Sequence, residues 1–225
     1  MDSANLFASF FERNLQKEQI IISPPIEIKF FYRTKILKKT TNLIFTSSNG
    51  VKAAGQAVND NIRAICVGDR TTSLASSLGY SAEKYGDNVE QLIKKLCLSK
   101  KIEGDILHIR GKYTKVDLMN RLREAGFLCH EWEGYDQIAK NLSFQALNAF
   151  KNGEKIILPI FSERSGRLLK DQIPNFDKSH IIAISSAVAN VFLDVSPASI
   201  SEAHTPDLVG MRSSTKTVLE NAHLE

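Results

Sequence analysis

The chain is short of the features that mark metal, membrane and nucleic-acid proteins. Its three cysteines, Cys66, Cys97 and Cys129, show no CxxC spacing and stand in or beside apolar runs. An odd, unclustered set argues against a disulfide framework and predicts buried, reduced thiols in a cytoplasmic protein. The five histidines do not pair with them at zinc spacing, so no metal site is expected. No apolar run approaches the roughly 20 residues needed to span a bilayer. Met1-Asp2-Ser3 leads into an amphipathic segment rather than a signal peptide, so no membrane association is expected. The formal net charge is only +4, with Lys and Arg scattered rather than striped, which disfavours a nucleic-acid partner. Clear glycine-rich phosphate turns, a carboxylate pair and a helix-turn-helix are also missing.

What the chain does have is a repeated strand-turn-helix grammar, clearest between Leu43 and Tyr80. Leu43-Ile44-Phe45 is a short apolar run ending in Thr46-Ser47-Ser48-Asn49-Gly50, after which Val51, Ala54 and Val58 recur at helical spacing. The pattern returns in Ala64-Ile65-Cys66-Val67, then Gly68-Asp69-Arg70-Thr71-Thr72, then a small-residue helix from Ser73 to Leu78 stopped by Gly79. In open parallel sheets, ligands bind at the carboxyl ends of strands, where backbone N–H groups and helix starts attract anions. Ser, Thr, Asn and Asp are also good helix caps, and that plainer reading stands beside the ligand-binding one.

On either side the same alternation continues. A helix from Ala4 to Gln16, with Leu6, Phe7, Phe10, Phe11 and Leu15 as its buried face, is followed by strands at Gln19–Ile22 and Ile26–Phe31. Ser23-Pro24-Pro25 between them marks a crossing point between substructures. Further units are a helix at Val89–Leu98, a strand at Ile106–Ile109 ending in Arg110-Gly111, a helix at Asp117–Ala125 and a strand at Phe127–Trp132. Beyond Gly134-Tyr135-Asp136 the pattern restarts. A helix at Phe144–Phe150, a strand at Lys155–Phe161 running into Ser162-Glu163-Arg164-Ser165, and a strand at Ile181–Ile184 turning at Ser185-Ser186 mirror the opening pair. Alternating strands and helices predict an α/β fold of parallel sheets with helices on both faces.

These motifs, taken in order and spacing, resemble the uroporphyrinogen-III synthase family. The resemblance is carried by Phe45-Thr46-Ser47-Ser48-Asn49-Gly50-Val51, Cys66-Val67-Gly68-Asp69-Arg70-Thr71-Thr72 with Gly79, and Ile106 to Gly111 with Leu118, Leu122 and Gly126. The strand ending in Tyr135 and Phe161-Ser162-Glu163-Arg164-Ser165 complete it. It implies two similar open parallel-sheet, flavodoxin-like lobes joined by a two-stranded connector. One lobe would comprise residues 1–23 plus 137–225, the other residues 27–132, with hinge strands at 24–26 and 133–136.

The resemblance further implies a lyase that takes a linear tetrapyrrole, hydroxymethylbilane, and closes it with inversion of its last pyrrole ring and loss of water. The family uses neither cofactor nor metal, and the deaminase that makes the substrate is an implied partner of an expected monomer. Tyr135 falls where the family has a cleft tyrosine proposed to assist departure of the hydroxyl. Ser47, Ser48, Gly68, Thr71, Thr72, Arg110, Gly111, Ser162, Ser165 and Ser185 are the candidate substrate contacts. Holding carboxylates while one ring turns calls for many donors rather than one strong acid.

Two departures bear on this expectation. The family's chain opens with a strand and an Arg before the first helix, whereas this one begins at the helix, and Ile184-Ser185-Ser186-Ala187-Val188 stands where the family more often has Gly and a Thr pair. The rival reading is a non-catalytic two-lobed binding protein for an anionic tetrapyrrole or other anionic metabolite.

Overall fold

The computed structural model describes residues 3–12, 20–32, 40–58, 61–99, 102–114 and 116–222. They divide into two compact units, Ile28–Ile138 and the two chain ends, Met1–Glu27 with Ala139–Glu225. The chain passes between units within two strands, β1 (Ile26–Phe30) and β6 (Cys129–Ala139).

The middle unit is built on β2 (Asn42–Phe45), α2 (Ser48–Ala54), β3 (Arg63–Val67), α3 (Asp69–Ser77), β4 (Ser81–Gly86), α4 (Val89–Ser99), β5 (Ile106–Gly111) and α5 (Leu118–Glu124). Its sheet has the order β1-β6-β5-β2-β3-β4, and β2 pairs in parallel with both β3 and β5. Every residue of β2 is buried, because a central parallel strand is covered on both faces. Leu43 and Phe45 face Val51, Ala64, Ile109 and Trp132 on the side of α2 and α3. Ile44 faces Leu92, Leu96 and Leu122 on the side of α4 and α5. Each such fully buried side chain stabilises the fold by about 2 kcal/mol. Helix α2 lies so close to β5 that a Cβ at Gly50 would stand 2.6 Å from the Ile109 carbonyl oxygen.

The unit of the chain ends holds α1 (Ser3–Ala8), α6 (Phe144–Lys151), β7 (Ile156–Ile160), α7 (Glu163–Lys170), β8 (Ser179–Ala183), α8 (Ser186–Ala189), β9 (Ser199–Glu202) and α9 (Leu208–Ala222). Its three strands form a parallel sheet in the order β7-β8-β9. Ile160, Ile181 and Phe192 centre one core, and Phe7, Phe11, Ile182 and Met211 the other.

Several elements differ from the sequence reading. Helix α1 stops at Ala8, where the Ser9 hydroxyl donates to the Leu6 carbonyl and competes with the helical ladder. Residues 13–19, which include Leu15, Gln16 and Gln19, lie outside the described residues, and Ile20–Ile22 belong to no strand. Phe10 is 44% exposed, with the Arg212 guanidinium over its ring, rather than part of the buried face. Helix α3 begins at Asp69 instead of Ser73, because Gly68 at φ 76° turns the chain directly into it. Strand β4 carries no apolar alternation at all. It is an edge strand whose Glu83 pairs with Arg63 and Lys95. Strand β6 runs as one element from Cys129 to Ala139, so the expected strand ending at Trp132 and the hinge strand at 133–136 are parts of a single strand, and β9 and α9 are elements the sequence reading lacks. Cys66 and Cys129 are buried as expected, but Cys97, on α4, is exposed.

Candidate functional site

The strand order of the middle sheet reverses between β2 and β5. From β2 the chain proceeds outward to β3 and β4, and from β5 to β6. Such a switch point leaves a crevice at the carboxyl ends of the two strands. Ser47 follows β2 there, and Gly111 closes β5.

Ser47 is the N-cap of α2, with extended backbone, and its Oγ accepts from the Gly50 N–H at 3.3 Å. The same Oγ stands 2.9 Å from the Tyr135 hydroxyl, a contact between residues 88 positions apart. Tyr135 is brought there by an irregularity in β6. Arg110 is level with Glu133 and Gly111 with Tyr135, so Gly134 is the extra residue of a bulge. A Cβ at Gly134 would stand 2.6 Å from Ile109 Cγ2 and 2.9 Å from Ala53 Cβ. Only glycine lets the bulge seat against the core and aim the phenol at the switch point. The sequence reading takes Gly134 only as part of the break before the pattern restarts; an isolated Gly between Glu133 and Tyr135 is the signal that could have found the bulge. The Lys112 N–H donates to the Tyr135 carbonyl at 2.9 Å, tying the end of β5 to the same residue.

Arg110 does not stand free. Its Nε and Nη2 donate to the two Glu131 oxygens at 3.0 Å each, Nη2 lies 3.1 Å from Glu133, and Nη1 donates to the carbonyls of Gly111 and Lys112 at 2.9 and 3.1 Å. Each N–H of the guanidinium is engaged. These bonds raise the Arg110 pKa above the ordinary guanidinium value and hold the Glu131 carboxyl below the usual range. The side chain fixes the turn that follows β5. Beside it, His108, Arg110, Thr114, Asp117 and Glu131 line a cavity of about 330 Å³. His108 is buried, its Nε2 sits 3.2 Å from the Thr46 hydroxyl, and its Nδ1 has no hydrogen-bond partner among the described residues. Burial pushes its pKa down to about 4, with Glu131 opposing and Arg110 reinforcing the shift. The neutral imidazole thereby anchors the residue next to Ser47, a contact invisible in the sequence.

At the neighbouring β3–α3 turn, Gly68 caps the helix, Thr72 donates to the Gly68 carbonyl at 2.9 Å, and Thr71 is 6% exposed. Ser48, the first residue of α2, is half-buried. In the other unit, Ser162 caps α7, accepting from the Ser165 N–H at 3.1 Å, with its Oγ 2.8 Å from that of Ser165. Ser185 precedes α8 and makes no side-chain cap bond. The structure therefore gathers Ser47, Gly111 and Tyr135 into one cluster with Ser48 alongside. Gly68, Thr71 and Thr72 lie one strand away, and Ser162, Ser165 and Ser185 sit at equivalent strand ends of the second sheet. No cluster of His, Cys, Asp and Glu suited to a metal ion occurs among the described residues. None of their helices is long and apolar enough to cross a membrane.

A family model described as uroporphyrinogen-III synthase HemD matches residues 13–211. Among solved structures, uroporphyrinogen-III synthetase from Helicobacter pylori 26695 superposes with a TM-score of 0.66 at 18% identity, covering 88% of this chain and 92% of that one. A mutant uroporphyrinogen III synthase from the extremely thermophilic bacterium Thermus thermophilus gives 0.52 at 14% identity, over 97% and 95% of the two chains. At these identities the likeness is one of fold. A search of the curated proteins found no match.

Proposed function

The chain belongs to the uroporphyrinogen-III synthase family, cyclising hydro-lyases of heme biosynthesis, and we propose that Tyr135 and the surrounding strand ends carry that chemistry here. Hydroxymethylbilane closes with loss of its hydroxyl. Departure of that group from an electron-rich pyrrole leaves a stabilised cation, so a modest donor suffices where an unassisted carbinol would need a strong acid. The observation that carries the reading is the Tyr135 phenol held at the switch point by Ser47. Its proton goes to the departing oxygen, which leaves as water. The proton released when the terminal pyrrole carbon bonds the macrocycle restores the phenol.

Ser48, Thr71 and Gly111 supply hydroxyl and amide donors to the substrate carboxylates, in support of which they stand at strand ends and helix starts of the middle unit. The Gly68 N–H is given to the Gly86 carbonyl and the Thr72 N–H and hydroxyl to the Gly68 carbonyl, so these two shape their turn instead. Ser162, Ser165 and Ser185 stand at strand ends and helix starts of the other unit. Arg110 acts on the Gly111–Lys112 turn, whose carbonyls it holds. Because the linear substrate also closes without catalysis, to the uninverted isomer, a deaminase working beside this enzyme keeps the substrate's free lifetime short. A monomer in the cytoplasm is the state we assign to it.

Product analysis tests the reading. Enzymatically generated hydroxymethylbilane is supplied to the purified protein, the product is oxidised, and the type I and type III isomers are separated. Type III in excess of the protein-free control is the expected result; type I alone refutes it, and stabilisation by uroporphyrin in that case identifies a binding protein.

A further inference from the structure

We infer that Ser47 is a positioning residue for the Tyr135 phenol rather than a substrate contact, and that it directs the phenolic proton toward the leaving hydroxyl. This rests on the synthase reading and on Tyr135 as the proton donor. The argument starts from the valence of the serine oxygen. A hydroxyl has one proton to give and two lone pairs to receive with. The Gly50 N–H, fixed by the start of α2, occupies one lone pair at 3.3 Å. The Tyr135 oxygen, 2.9 Å away, is the acceptor that the described residues offer to the serine proton. With Ser47 donating, the chain runs from the Gly50 amide through the Ser47 hydroxyl to the phenol oxygen, and the phenol's own proton points away from Ser47.

A hydroxyl that accepts a hydrogen bond is a better donor, since the bonds polarise one another in series. The arrangement also stabilises the oxygen as it loses its proton, because the Ser47 donor is already in place and needs no reorganisation. As the C–O bond breaks, its electron pair leaves with the oxygen, which takes the phenol proton and departs as water. The negative charge left on Tyr135 is met by the Ser47 proton until ring closure returns a proton to it.

Both partners are held by the fold. Ser47 is pinned by the α2 cap and by its neighbour Thr46 on the buried His108, while Tyr135 is held by the Gly134 bulge and by the close approach of its ring to Gly111. A serine that bound substrate would instead keep its proton for a carboxylate.

The test is a kinetic cycle on hydroxymethylbilane with type III product as readout, using Ser47→Ala, Ser47→Gly, Ser47→Thr, Tyr135→Phe and the Ser47→Ala/Tyr135→Phe pair. Ser47→Gly is included because glycine still tolerates the N-cap position, so it removes the hydroxyl with little loss of helix stability. The expected result is a fall in kcat of about tenfold for Ala and Gly with KM held within about twofold, recovery in Ser47→Thr, and no further loss on adding Ser47→Ala to Tyr135→Phe. A rise in KM with kcat intact overturns the inference in favour of a substrate contact. An equal loss of kcat in both backgrounds overturns it as well, since Ser47 then acts apart from the phenol. If Tyr135→Phe itself keeps full kcat, the positioning role fails while the synthase reading stands; a wild-type protein that makes only type I removes both.

Discussion

The ring of Tyr135 lies against Gly111, with Cε2, Cζ and Oη 2.8, 2.9 and 3.1 Å from where a Cβ at position 111 would stand. No side chain fits there without moving the phenol. Gly111→Ala is therefore expected to lower kcat for type III formation by displacing Tyr135 from Ser47, and to cost about 1–3 kcal/mol of stability through overpacking. Kinetics beside a melting curve check both; unchanged kcat would show that the phenol's place is not critical.

Arg110 invites the expectation of a carboxylate contact, yet its guanidinium is spent on Glu131, Glu133 and two backbone carbonyls. Arg110→Lys keeps the charge but cannot reproduce that fork. Its expected signature is a melting temperature lower by several degrees, from losing about 1–3 kcal/mol of partly buried bonding. KM for hydroxymethylbilane should stay within about twofold, whereas a large rise in KM would restore Arg110 as a substrate ligand.

His108 makes stability depend on pH in a defined window. Its pKa is about 4 in the fold, against roughly 6.5 in the unfolded chain. Between those values the unfolded state binds more protons, so this contribution is fully present above about pH 6.5 and is lost as pH falls toward about 4. Its size is of order 3 kcal/mol. Urea unfolding of wild type across this range should show the decline, and His108→Gln should flatten it. The Glu131 carboxyl beside it is held low by Arg110, so its own loss comes at more acid pH. Equal slopes in the two proteins would contradict the buried neutral imidazole.

Thiol chemistry separates the cysteines. Cys66 is buried, and burial pushes its pKa up to about 11, with the nearby Thr72 hydroxyl partly opposing; burial likewise raises Cys129. Cys97 is exposed. Reaction of the native protein with an aromatic disulfide reagent should be rapid at one thiol and reach all three only on unfolding, and Cys97→Ser should abolish the rapid phase. Rapid reaction in that variant would show that Cys66 or Cys129 is accessible.

Much of the fold was legible in the residues because central parallel strands leave a plain record. Leu43-Ile44-Phe45 and Ile106-Leu107 must be apolar on both faces, and the turns after them must begin helices, so Ser47 and Ser162 announce themselves as caps. Edge elements carry no such record. Ser81–Gly86 became a strand because β3 offered it a ladder, with its charges turned to solvent and salt bridges. The fate of α1 likewise hung on a local competition at Ser9.

The candidate site divides along the same line. The sequence by itself determined which residue types stand at the carboxyl ends of the strands, because caps and tight turns are local demands of the backbone. Only the tertiary structure decided how they combine: Ser47 meets Tyr135 across 88 positions because β2 and β5 are neighbours and a bulge at Gly134 turns the phenol. Arg110 is consumed by Glu131 because β5 and β6 run in register there. Hydrogen bonds and clashes between distant segments depend on strand order and register, and neither is written in any one stretch of the chain.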